Sequence, residues 1–134
     1  MLSELSDLKE HLIILTKGKE DGGKSAVLGL KLAVTLQTMN RDVSLFLTLG
    51  ATIWSLMNSA ENIQLPNELT LEEYFEFFLE SGGQLLVCAP CIEAYCCIPP
   101  HIEGGEEKQK RRKAKYVGLA TVADKLISGH ATLF

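Results

Sequence analysis

Three short runs of β-branched and aliphatic residues, each followed by a helix-length segment, constrain the fold of this chain more than any other feature. They are His11 to Thr16, Val43 to Thr48 and Gln84 to Cys88. Alternation of this kind predicts an α/β protein with a mainly parallel sheet of about five strands and helices on both faces, a three-layer arrangement. The helix predicted from Ser25 to Met39 carries Val27, Leu28, Leu30, Leu32, Ala33, Val34 and Leu36, so it meets both the sheet and another layer. Asn40-Arg41-Asp42 turns the chain into the second strand.

Leu49-Gly50-Ala51 opens a shorter helix bearing Ile53, Trp54, Leu56 and Met57, and Asn58 to Glu68 reads as loop. Thr70 with Glu73 three residues later is a capping-box pattern. It starts a helix whose residues Leu71, Tyr74, Phe75, Phe78 and Leu79 share one face, while Glu72, Glu73, Glu76 and Glu80 read as its solvated side. Ser81-Gly82-Gly83 stops that helix before the third strand. Ile98-Pro99-Pro100 breaks regular structure, and a mobile basic loop is expected around residues 99–115. Tyr116 to Leu119 then reads as a fourth strand, Val122 to Ser128 as a helix capped by Thr121, and Ala131 to Phe134 as a final strand. At 134 residues the whole chain, 1–134, is one domain.

The net charge of −4 argues against general nucleic-acid binding. Six basic residues are nevertheless concentrated at Lys108, Lys110, Arg111, Arg112, Lys113 and Lys115, beside Glu103, Glu106 and Glu107. With no aromatic side chain interleaved, this run reads as a solvated loop serving solubility or the docking of an acidic partner. The residues from Met1 to Glu10 lack the basic start and apolar core of a secretory signal. No apolar run approaches the ~20 residues that span a bilayer. A cytoplasmic protein without a membrane partner is therefore expected, one in which cysteines stay reduced. The slightly positive mean hydropathy points to apolar surface covered in a homo-oligomer.

All four cysteines fall between Cys88 and Cys97. Cys88 closes the third strand, and in open α/β sheets the carboxyl ends of the strands face the ligand crevice. A cysteine there gains thiolate character from nearby backbone N–H groups, with those near Ala51 and Ile92 the expected source. Burial is the competing reading, since free cysteine packs as a small hydrophobe. Cys88-x-x-Cys91 also fits a redox dithiol, with Pro90 tolerated in a first helical turn. A zinc site drawing on Cys96, Cys97 or His101 is a third possibility, although neighbouring cysteines rarely both reach one tetrahedral ion. His11 and His130 read as structural.

The segment Gly18-Lys19-Glu20-Asp21-Gly22-Gly23-Lys24-Ser25 satisfies the letters of a P-loop. Nucleotide hydrolysis also needs an acidic residue at a second strand end to hold magnesium, and Thr48, Cys88 and Leu119 are not acidic. What survives is a crevice with an anion-attracting helix start, made of Gly18, Gly23, Lys24, Thr48 and Gly50. No resident cofactor or metal is called for by the pattern.

The order of these motifs resembles the DsrE/DsrF-like family, which includes TusD-type sulfur-relay subunits. The resemblance rests on His11 to Thr16 with Gly18 and the Glu20-Asp21 loop, on Asp42 to Thr48 running into Gly50-Ala51, on Leu85-Leu86-Val87-Cys88, and on Gly118 to Leu126. It implies a cytoplasmic α/β fold assembled as a trimer or hexamer. It also implies sulfur carried as a persulfide on the cysteine ending the third strand, the position of Cys88, with Cys91 sharing or resolving that load. Donor and acceptor proteins for sulfur would be its partners. Other members lack the active cysteine and serve as assembly subunits. The extra Cys96-Cys97 pair and the basic loop depart from the family pattern. Three readings follow: a sulfur carrier, a non-catalytic oligomeric binding or assembly module, and a cysteine-rich zinc site.

Overall fold

Side chains alternate along each central strand between two different cores, as the period-two pleat requires. A computed structural model describes residues 10–95 and 110–134 of the chain. Ile13 and Leu15 of β1 (Glu10–Leu15), Val43, Leu45 and Leu47 of β2 (Asp42–Leu47), and Leu85 and Val87 of β3 (Gln84–Cys88) enter one core. Leu12, Phe46, Leu86 and Cys88 enter the other, joined by Cys91 and Val122. Burial on both sides explains why these strands read as continuous apolar runs.

All pairings are parallel, and the five strands stand in the order β4-β3-β2-β1-β5, with β4 at Ala114–Val117 and β5 at His130–Leu133. The first core lies beneath α1 (Lys24–Thr38) and α2 (Leu71–Glu80), which pack on each other. Tyr74, Phe75 and Phe78 fill it, along with Trp54 from a 3-10 helix at Leu49–Ser55. The capping box of α2 is formed: Glu73 N–H donates to Thr70 Oγ1 at 3.1 Å and Thr70 N–H to Glu73 Oε1 at 3.4 Å. The second face is covered by α4 (Leu119–Ser128), which links β4 at one sheet edge to β5 at the other. It packs on β1 on that face. The expected fold class, with helices on both faces, is the one observed. Among the described residues no helix is long and apolar enough to cross a membrane.

Several boundaries differ from the sequence expectation. The segment after β2 is a 3-10 helix, and the last helix starts at Leu119 with Gly118 as its N-cap in place of Thr121. The C-terminal end of the expected mobile basic loop is anchored. Arg111 is buried, its guanidinium bonded to Glu72 through Nη1 at 2.5 Å and Nη2 at 3.0 Å, and its Nε donates to the Trp54 carbonyl at 2.5 Å. Arg111 also lies over the Phe75 ring, and Lys110 over that of Tyr116. Arg111 and Glu72 are thus a structural clamp that delivers the chain into β4 at Ala114. Residues 99–109 of that loop, with Cys96, Cys97, His101 and Lys108, lie outside the described residues.

The P-loop letters have a different physical content. Asp21 turns its carboxylate onto the start of α1, accepting from Gly23 N–H at 3.0 Å, Ser25 N–H at 3.0 Å and the Ser25 hydroxyl at 2.6 Å. The anion at this helix start is the chain's own side chain, which corrects the expectation of an external oxyanion beside Gly23 and Lys24. Burial pushes the Asp21 carboxyl up, but the bonds from Ser25 and Gly23 outweigh it and leave it below its ordinary range. Its stabilisation is therefore present above the unfolded carboxyl's titration and is lost as pH falls through the depressed folded value. Asp21→Ala is expected to cost about 1 kcal/mol near neutral pH in urea unfolding followed by Trp54 fluorescence. The deficit should close only as pH falls below the ordinary carboxyl range and through the depressed folded value.

Candidate functional site

β3 ends at Cys88, and the next residue already belongs to α3 (Ala89–Tyr95), with Pro90 in its first turn. That immediate strand-to-helix step turns Cys91 back toward the strand end it has just left. Both thiols are free and almost covered: Cys88 is 7% exposed and Cys91 8%. Cys88 points into the second core with Leu12, Phe46, Leu86 and Val122, so the expected open presentation of its sulfur is not what the fold provides. The pair sits just beneath the surface at the carboxyl end of the sheet.

The neighbouring strand completes the site. Thr48 follows β2, and its Oγ1 lies 3.4 Å from Cys91 Sγ. The backbone N–H of Leu49, a residue whose φ of +52° is uncommon for a branched side chain, favours charge on the same sulfur. Cys88 and Cys91 are neighbouring unlinked thiols, and the N–H of Cys91 favours charge on Cys88. The amides that favour charge here are those of Leu49 and Cys91, on the elements and close to the positions expected near Ala51 and Ile92. Ala51 N–H is spent on the Thr48 carbonyl.

These contacts divide the charge unequally. Burial pushes the Cys88 thiol up, and donating to Cys91 keeps its proton in place, more than offsetting the Cys91 amide and the Thr48 hydroxyl. Burial raises Cys91 too, but bonds from Cys88, Thr48 and Leu49 overcome it and bring its thiol below the ordinary value. The directions of the two shifts favour charge on Cys91 over Cys88.

Of the other candidate residues, Gly18 and Gly50 join this end of the sheet. A side-chain carbon on Gly18 would come within 2.3 Å of the Gly50 carbonyl oxygen, so only glycine lets the loop after β1 rest on the loop after β2. Glu20 holds that junction: its carboxylate accepts from Gly18 N–H and lies against Gly50. Gly23 packs on Ile63, and Lys24 is exposed at the head of α1, two strands away from β3. Leu49 and Glu20 were not singled out from sequence for this site. No local pattern marks a leucine whose amide matters. Among the described residues no group of three or more His, Cys, Asp or Glu side chains gathers as a metal site would require.

No family model matches the chain, and no curated protein does. Solved structures do share its fold. The crystal structure of the ychN protein from E. coli aligns over 93% of this chain and 99% of its own, with a TM-score of 0.68 and 20% identity. A conserved protein of unknown function, BT1422 from Bacteroides thetaiotaomicron, aligns over 92% of this chain and 94% of its own, with a TM-score of 0.55 and 11% identity. The ychN protein has a DsrE/DsrF-like fold, and the five-stranded parallel sheet described here is of that kind.

Proposed function

We propose that this chain carries sulfur on the Cys88–Cys91 pair. The observation that supports this most directly is the contact of Thr48 Oγ1 with Cys91 Sγ at 3.4 Å at a strand end, where Cys88, Thr48 and the Leu49 amide all favour charge on Cys91. A thiolate that must both attack and leave works best with a pKa near ambient pH, and this arrangement lowers that of Cys91 in spite of burial. The sequence reading gives the accepting role to Cys88; the charge distribution favours Cys91 for the first attack.

In this reading the Cys91 thiolate attacks the outer sulfur of a donor persulfide. A new S–S bond forms on Cys91, and the donor's inner sulfur departs as a thiolate, so no net oxidation occurs. Cys88 then attacks the inner sulfur of the Cys91 persulfide. Its proton and the outer sulfur leave together as hydrogen sulfide, and a Cys88–Cys91 disulfide remains for an external thiol to reduce. The setting proposed is a reducing compartment such as the cytoplasm, with protein donors and acceptors. Self-association, as a trimer or hexamer, is part of the proposal; exposed Leu119 and Ile127 on α4 and Leu133 on β5 support it.

The test is intact mass after incubation with a persulfide donor and no reductant. The expected result is an added sulfur on Cys91 that dithiothreitol removes, retained in Cys88→Ser, where no resolving thiol is present, and absent from Cys88→Ser/Cys91→Ser. Retention of the added mass at other positions in that double variant would overturn the proposal. The near-complete cover over both sulfurs favours a second reading, a passive binding or assembly module of the same fold. That reading requires alkylation of Cys91 at pH 6 to be no faster than that of an ordinary buried thiol.

A further inference from the structure

At the end of the sheet away from the thiols, the basic run does something the carrier reading does not use. Arg112, Lys113 and Lys115 project into a groove of about 440 Å³ whose remaining walls are Leu79, Gly82, Gly83, Gln84 and Leu85. All three cations are exposed, and among the described residues none is paired with a carboxylate. Among the described residues the side-chain bond they make is from Lys113 Nζ to the Leu79 carbonyl at 3.3 Å, which also offsets the negative end of α2. The acids of α2 lie elsewhere: Glu73, Glu76 and Glu80 line a separate, smaller cavity.

Lysine on an edge strand is a common guard against unwanted strand pairing, and β4 is an edge. That role needs neither a concavity nor Arg112, which precedes the strand. Here the clamp of Arg111 on Glu72 fixes the backbone next to Arg112, so the cations converge from an anchored segment. The opposite wall is bare. Gly82 sits at φ +90° with open space where a side chain would project, so a ligand can approach the backbone. Leu79, half-buried, adds apolar surface on the same groove, while the Leu85 side chain enters the first core and leaves its backbone to the wall.

We propose that this groove binds a small organic molecule bearing a phosphate or diphosphate group. The volume falls within the roughly 300–1,000 Å³ of small-molecule sites. An arginine fork with two ammonium groups suits a multiply charged phosphate, and Leu79 suits the organic remainder.

The test is an amide-resolved NMR titration of the full chain with inorganic pyrophosphate at about 50 mM salt, where screening is incomplete. Saturable shifts are expected at Gly82, Gly83, Gln84 and Lys113. Arg112→Gln/Lys113→Gln is expected to weaken binding about tenfold or more, the scale of losing charge-assisted bonds. Lys17→Gln/Lys19→Gln removes the same charge elsewhere and should leave the affinity unchanged. Shifts spread over the surface without saturation, or equal weakening in both double variants, would overturn the site.

Discussion

Replacing Arg111 with Met is expected to destabilise the protein by about 3 kcal/mol, because it breaks a buried ion pair and strands its partners. The Arg111 side chain is 6% exposed and that of Glu72 21%, so solvent cannot fully replace what the guanidinium supplies. Met keeps a flexible stem over Phe75 while removing every charged donor. The Glu72 carboxylate and the Trp54 carbonyl then lose their partner together. Urea unfolding followed by the single tryptophan reads this directly, since Trp54 is fully buried and its carbonyl receives the Arg111 Nε bond. The midpoint should fall with little change in slope, as for a loss of stability without a change in exposed area. Adding Glu72→Leu to Arg111→Met is expected to recover much of the loss, because the unpaired carboxylate is what costs most. A deficit under about 1 kcal/mol for the single variant would reduce the clamp to an ordinary surface bridge.

The same clamp shows where sequence reading reaches its limit. The strands were legible because burial on both faces forces uninterrupted apolar runs, and α2 was legible because Thr70 and Glu73 cap it and its aromatic residues recur with helical period. Arg111 and Glu72 were read as solvated because nothing within 39 residues of sequence separation signals their contact. Pairing of that kind is a property of the packed layers. The Gly18 to Ser25 segment failed differently: its letters admit a phosphate cradle, and only coordinates reveal Asp21 filling the helix start. At the thiol site the position of Cys88 on β3 and the nearness of Thr48 followed from strand order. The direction of charge between Cys88 and Cys91 did not, since it depends on the Thr48 hydroxyl and the Leu49 amide brought beside Cys91 in the folded chain.

That direction carries the second large prediction. Thr48→Val keeps the shape of the side chain but withdraws the hydroxyl from Cys91. A hydrogen bond to a charged group is worth about 1.5 kcal/mol or more, so the thiolate fraction at neutral pH should drop roughly tenfold. Part of this is returned, since a more basic thiolate is intrinsically more nucleophilic, with a Brønsted coefficient of about 0.4–0.5. Alkylation of Cys91 by iodoacetamide at pH 7 should therefore slow about threefold, measured by peptide mapping so that Cys96 and Cys97 do not contribute. Cys88→Ser and Cys88→Ala separate the two possible orders of ionisation. Serine still offers a proton to Cys91 and should preserve its fast reaction, whereas alanine removes the donor and should slow it more than Thr48→Val does. Were Cys88 the first thiolate, its replacement by serine would instead abolish the fast phase and leave Cys91 reacting slowly. A fast Cys91 in the serine variant and a slow one in the alanine variant would place the negative charge on Cys91, with Cys88 holding the proton that stabilises it.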